Sequence, residues 1–163
     1  MNIRKACVND IEAIERVLLD AVQWLTSINE RAWSEEDVAW HTLSKTHSID
    51  QFYVVEENGE VIATFLLCDV DELYWPEVKA GDSLYIHKLC VMRKAAKSLA
   101  STMIMDFFKA EGRRLNKVAC RLDCRTSKPK LKEFYESHGF QLVDEREIVE
   151  GYCTSRYVYP LHD

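Results

Sequence analysis

The chain has 163 residues, 47% of them apolar and 29% charged, with a net charge of −6. This is the profile of one soluble globular domain spanning 1–163, large enough for a single substantial core. It argues against a nucleic-acid partner, since phosphate backbones are bound by clustered Lys and Arg. It also argues against a membrane span, since no apolar run approaches the roughly 20 residues one requires.

The N-terminus, Met1-Asn2-Ile3-Arg4-Lys5, leads into a polar turn rather than the apolar core of a signal peptide, so a cytoplasmic location is expected. Six cysteines stand at 7, 68, 90, 120, 124 and 153, without a C-x-x-C pair. Four lie in apolar, strand-like runs and read as small hydrophobes rather than zinc ligands or disulfide partners. No metal is expected.

In chain order, Asn2 to Cys7 reads as a strand. Asn9, with Glu12 three residues on, predicts a capped helix whose apolar face is Ile11, Ile14, Leu18, Ala21, Val22 and Leu25, ending near Asn29. Ser34 to Asp37 repeats the capping pattern and predicts a second helix to about Lys45. Gln51 to Glu56 and Val61 to Val70 are strands joined by Asn58-Gly59, a turn pair that tolerates positive φ. A polar loop with aromatic residues, Asp71 to Asp82, precedes the strand Ser83 to Val91.

A turn rich in Arg, Lys and Ala then leads into a long amphipathic helix, Leu99 to Leu115. Its expected stripe is Leu99, Met103, Ile104, Phe107, Phe108 and Ala110. The turn at Ala95 to Ala100 places backbone N–H groups at a helix start, where proteins hold phosphates. Val118 to Asp123 is a strand. Ser127 or Lys128 opens a helix with Pro129 in its first turn and Gly139 as its left-handed end. Phe140 to Ile148 and Tyr152 to Tyr159 are the last strands. The order predicts an α/β sandwich on a mixed sheet.

Three stretches resemble the GNAT superfamily of acetyl-CoA-dependent N-acetyltransferases. Leu89-Cys90-Val91 resembles the end of that family's fourth strand. Ala95-Ala96-Lys97-Ser98-Leu99-Ala100 stands where the family has R-G-x-G-x-G/A. Leu131-x-x-Phe134-Tyr135-Glu136-x-x-Gly139-Phe140 matches L-x-x-F-Y-x-x-x-G-F. The resemblance implies a three-layer sandwich with a mixed, mostly antiparallel sheet of about seven strands and about four helices. The departures are Ala96 and Ser98 at glycine positions, Ala95 for the usual Arg or Gln, and Lys128 where many members have Asn. The pyrophosphate loop is thus glycine-free.

The resemblance further implies acetyl transfer from acetyl-CoA, as co-substrate, to a primary amine of a small molecule or protein by direct attack in a ternary complex. Leu89, Cys90 and Val91 would hold the pantetheine and acetyl group. Ala96, Lys97, Ser98, Leu99 and Ala100 would hold the pyrophosphate, with Lys128 and Phe134 as further cofactor contacts. Tyr135 is the candidate acid for the leaving thiolate, its phenol near 10 when unperturbed. His87 is the candidate base, two residues before Leu89 and so on the same strand face. Asp69, Glu72, Asp123 and a water chain are rivals for that role. His138 reads as a cap residue at a favourable helix end. Trp24, Trp33, Trp40 and Trp75 flank the segments that would overhang the acceptor; one or two of them would line its pocket, although packing of the first helices on the sheet is the better account of each. The competing function is a catalytically silent acyl-CoA sensor or interaction module. The oligomeric state stays open, a homodimer included.

Overall fold

The computed structural model describes residues 1–30 and 33–162. Among these residues are seven strands: β1 (Asn2–Lys5), β2 (Phe52–Glu57), β3 (Glu60–Cys68), β4 (Ser83–Val91), β5 (Ala119–Arg125), β6 (Gln141–Val149) and β7 (Tyr152–Pro160). Among the described residues there are four α-helices: α1 (Ile11–Ser27), α2 (Trp40–Leu43), α3 (Ala100–Arg114) and α4 (Pro129–Ser137). The strands follow the sheet order β1-β2-β3-β4-β5-β7-β6. Pairs β1/β2, β2/β3, β5/β7 and β6/β7 are antiparallel, and β4/β5 is parallel. This is the mixed α/β sheet that the element order implies. Two compact units can be described, one of Met1–Leu67 with His87–Ser101, the other of Cys68–Ile86 with Thr102–Asp163.

In the first unit β2 and β3 are buried on both faces, from Phe52 to Val55 and from Val61 to Leu67. The turn between them has φ of 51° at Asn58 and 78° at Gly59, as the Asn-Gly pair predicts. Helix α1 buries Ile14, Val17, Leu18 and Val22. Its entry differs from the expected Asn9–Glu12 box. A single 3-10 turn, Val8–Asp10, comes first, so the acting carboxylate is Asp10. Asp10 accepts the Cys7 N–H at 2.8 Å and the Arg4 guanidinium at 2.7 and 2.8 Å. Arg4 holds that carboxyl below the usual range. The second expected helix is mostly absent. Ser34 and Asp37 do exchange hydrogen bonds, but Ala39 is extended (ψ 141°). A short 3-10 turn and the one-turn α2 remain.

In α3 the buried positions Ala100, Ile104 and Phe108 recur every four residues, with Met105 beside them. Leu99 lies outside the helix and is 68% exposed, and Ala110 is also exposed, so neither belongs to the stripe. Gly112 continues the buried row. A Cβ there would lie 2.7 Å from Leu161 Cδ1 and 2.8 Å from Cys120 Sγ, so a larger residue would have to displace those side chains.

In the second unit β5 pairs along its whole length with β7, Ala119 opposite Pro160 through Arg125 opposite Thr154. Its outer neighbour β6 is mostly exposed and bulged twice against β7, between Leu142 and Asp144 and between Glu147 and Val149. The Asp71-to-Asp82 loop is stapled to these strands by Arg156, a charged residue only 1% exposed. Its guanidinium donates to both Asp144 oxygens at 2.7 and 2.8 Å, to Glu77 at 2.6 Å and to the Tyr74 carbonyl at 2.8 Å. It also lies 4.2 Å from the centroid of the buried Trp75 ring, with Arg121 at 4.8 Å.

Candidate active site

The expected site residues are divided between the units. His87, Leu89, Cys90, Val91 and residues 96 to 100 belong to the first, and Lys128, Phe134 and Tyr135 to the second.

In the first unit, β4 carries an irregularity the sequence does not announce: Lys88 has φ +52°. Strand alternation requires extended residues. A left-handed residue between His87 and Leu89 breaks it, so the argument that these two share a face does not carry across. Irregularities of this kind bend a strand and take local peptide groups out of the regular ladder. His87, Leu89 and Val91 are half-buried and Cys90 is buried. Burial pushes the Cys90 thiol up to about 12, which leaves it a protonated, inert side chain.

The turn after β4 is well determined. Met92 N–H donates to Ile62 O at 2.8 Å, and Arg93 N–H to Asp20 Oδ2 at 2.8 Å. The N–H groups of Ala95, Ala96 and Ser98 then donate to Met92, Arg93 and Ala95 carbonyls at 2.8, 3.2 and 2.9 Å. None of residues 92 to 100 has positive φ, and Ala96 is helical at −61°. The backbone therefore does not require the glycines that the resemblance leads one to expect. Ser98 has a second task, because its Oγ accepts the Ala100 N–H at 3.2 Å and so caps α3. The hydroxyl proton is still a donor.

Side chains around this turn carry charge of both signs. Arg93 stacks 4.0 Å from the Trp24 centroid, and Lys94 pairs with Glu60 at 2.5 Å. A cavity of about 330 Å³ lies against the turn and is lined by Glu57, Glu60, Ile62, Lys94, Lys97 and Ser98, among others.

In the second unit, Lys128 caps α4 ahead of Pro129, and burial lowers its ammonium pKa. Tyr135 is 7% exposed. Its ring lies 5.5 Å from Phe134, 6.4 Å from Phe140 and 6.2 Å from Tyr157. The helix ends as expected: Gly139 has φ +87°, and Gly139 and Phe140 N–H donate to Glu136 and Tyr135 carbonyls at 3.0 and 3.1 Å. The matched motif is thus an aromatic wedge closed by a left-handed turn. Tyr157 donates its hydroxyl to Glu136 at 2.8 Å. Burial, followed by that carboxylate, raises the Tyr157 pKa, so the phenol stays protonated. His138 is the C-cap of α4, as its position at the helix end leads one to expect. Its ring lies 4.7 Å from Phe134, and burial together with Lys109 lowers its pKa.

Of the rival bases, Asp69 is exposed and pairs with Lys117 at 3.4 Å, Glu72 is exposed, and Asp123 is half-buried. Residues that sequence reasoning passed over are Lys88, Asp20 and Arg156. Only Arg156 left a trace, as a lone charge inside the strand Tyr152 to Tyr159.

The profile of the acetyltransferase (GNAT) family matches residues 17–140. The chain belongs to that family. Over 146 residues, 85% of this chain and 80% of the other, it is 23% identical to the uncharacterized N-acetyltransferase YesJ of Bacillus subtilis strain 168. Among solved structures, Ard1 from Thermoplasma volcanium superposes with a TM-score of 0.74 at 16% identity, over 99% of this chain and 98% of that one. yncA from Salmonella typhimurium, solved with its cofactor acetyl-CoA, superposes with a TM-score of 0.67 at 17% identity, over 100% and 95%. At such identities these structures speak for the fold alone.

Proposed function

We propose that the chain is an N-acetyltransferase, one catalytic domain over 1–163, that moves an acetyl group from acetyl-CoA to a primary amine by direct attack in a ternary complex. The observation that carries this reading is the break in β4 at Lys88, followed immediately by the strain-free turn into α3. A left-handed residue in a strand turns neighbouring backbone N–H and C=O groups out of the regular pattern, where an extended ligand can meet them. In this reading Leu89 and Val91 bind the pantetheine amides, and an N–H beside the break donates to the thioester oxygen as charge develops there. The turn residues Ala96 to Ala100 receive the pyrophosphate, with the Lys97 ammonium and the Ser98 hydroxyl as added donors. Lys128 and Phe134 complete the cofactor contacts.

For the transfer, the acceptor amine must lose a proton, which His87 takes, directly or through water. Its lone pair then attacks the thioester carbon, the C–S bond breaks, and the Tyr135 hydroxyl protonates the departing thiolate. The raised thiol pKa values of Cys90, Cys120 and Cys124, each about 12, support direct transfer over an acyl-cysteine route. Six free thiols and the absence, among the described residues, of any helix long and apolar enough to cross a membrane are in keeping with a cytoplasmic enzyme.

Tyr135→Phe tests the central step. It should lower kcat about a hundredfold, the usual weight of a lost general acid, while acetyl-CoA affinity by calorimetry stays within about twofold. An unchanged kcat removes Tyr135 from the chemistry. A second reading draws on the turn, whose N–H groups bond internally and whose Lys94 is paired. In that reading the protein binds acyl-CoA without turning it over, and acetyl-CoA binding without thiol release across an amine panel would favour it.

A further inference from the structure

Lys88 stands apart from the other left-handed residues. Besides glycines, the described residues with positive φ are Asn29, Asn58, Asn116 and Lys88. Asparagine tolerates this conformation through local hydrogen bonding, whereas for lysine it costs on the order of 1 kcal/mol. Strain retained at one position of a strand points to a task for its side chain or its peptide groups.

The side chain reaches Trp33, with Nζ 4.2 Å from the ring centroid. Both residues are half-buried. Burial lowers the Lys88 pKa, against a weaker opposite pull from Cys90 and Asp37. Asp37 is not its ion-pair partner. That carboxylate accepts the Ser34 N–H at 2.8 Å, and Ser34 Oγ returns a bond to the Asp37 N–H at 3.1 Å. Among the described residues, no carboxylate lies within ion-pair distance of Lys88. A half-buried cation in this state has given up water without gaining an anion.

We propose that Lys88 and Trp33 form an acceptor subsite for an amine that also carries a carboxylate, the ammonium receiving the carboxylate and the indole packing beside the carbon frame. This rests on the acetyltransferase reading and narrows its substrate class to amino acids and related compounds. A single ammonium matches the single charge of a carboxylate, whereas phosphate sites gather several cations or backbone donors. The subsite lies on the strand that, in that reading, holds the acetyl group, so recognition and attack would share one element.

Binding of products tests this without requiring turnover. N-acetylalanine, N-acetylleucine and N-acetylphenylalanine, each beside its decarboxylated N-acetylamine, are titrated calorimetrically into the wild type, Lys88→Met and Lys88→Arg. Methionine and lysine meet the same backbone strain, and thermal melts confirm that the variants are folded. The wild type should bind the carboxylate member of at least one pair about tenfold more tightly, the weight of one charge-assisted hydrogen bond. Lys88→Met should abolish the difference, and Lys88→Arg should keep most of it. Equal binding within every pair, binding of none, or a preference that survives in Lys88→Met overturns the subsite. Acetyl-CoA-dependent thiol release with the parent amines is measured separately. Its absence beside an intact binding preference would count against catalysis, and its presence with no preference would count against Lys88 alone.

Discussion

Two irregular segments, the Asp71-to-Asp82 loop and the Met92-to-Leu99 turn, are held in different ways. The loop's first half is held by one buried side chain from a distant part of the sequence: Arg156, with Asp144, Glu77 and the Tyr74 carbonyl. The turn is fixed by backbone bonds, among near neighbours and from Met92 to Ile62, together with the half-buried Asp20 and the exposed Glu60. A buried charge that loses its partners costs several kcal/mol, whereas exposed pairs contribute a few tenths to one. Disturbing the loop should therefore show as lost stability. Disturbing the turn should show mainly in ligand binding.

The largest expected effect is that of Arg156→Met. Asp144 and Glu77 keep some access to water, so the loss should sit near the low end for a broken buried pair, about 3 kcal/mol in urea denaturation. A loss below about 1 kcal/mol would place Arg156 with the exposed pairs and remove the contrast.

Acid offers a milder test of the same network. Arg156, assisted by Arg146, holds the Asp144 carboxyl well below the usual carboxylate range. A group whose folded pKa is depressed stabilises the fold above its unfolded value, near 4, and loses that contribution as pH falls toward the folded value. The stability gap between wild type and Arg156→Met should therefore be widest at neutral pH and narrow from about pH 4 downward. A gap that is constant down to pH 2 would mean that the Asp144 pair is not its source.

The smallest effect belongs to the turn. Ala96→Gly supplies a glycine where the resemblance expects one, yet Ala96 already has φ −61°. It should lower stability by about 0.5 kcal/mol through backbone entropy and leave acetyl-CoA affinity within about twofold. A clear gain in affinity would show that the bound state needs a conformation alanine resists.

The elements were legible where local chemistry decides them. Asn58-Gly59, Lys128-Pro129 and Gly139 each set their own dihedrals, and the structure keeps every one of them. The motif around Tyr135 was readable for the same reason. Three features were not. The break at Lys88 lies in a run, Leu84 to Val91, whose apolar pattern reads as unbroken strand, and no residue in it favours positive φ. The second helix failed at Ala39, where no helix breaker stands. Which partners Arg156 meets depends on contacts about 80 positions away in sequence, beyond the reach of any local pattern. The glycine-free turn was read correctly as a departure, while its conformation had to be observed.

Gly112 has a consequence for oxidation chemistry. Its missing side chain lets α3 lie close to Cys120: a methyl group on Gly112 would come within 2.8 Å of Sγ. Cys120 is fully buried, and burial also keeps its thiol protonated, so it is shielded from peroxide by lack of access and by charge state. Of the six thiols Cys7 and Cys153 are the exposed ones, so oxidative damage would fall first on these two and spare the sulfur packed against the helix.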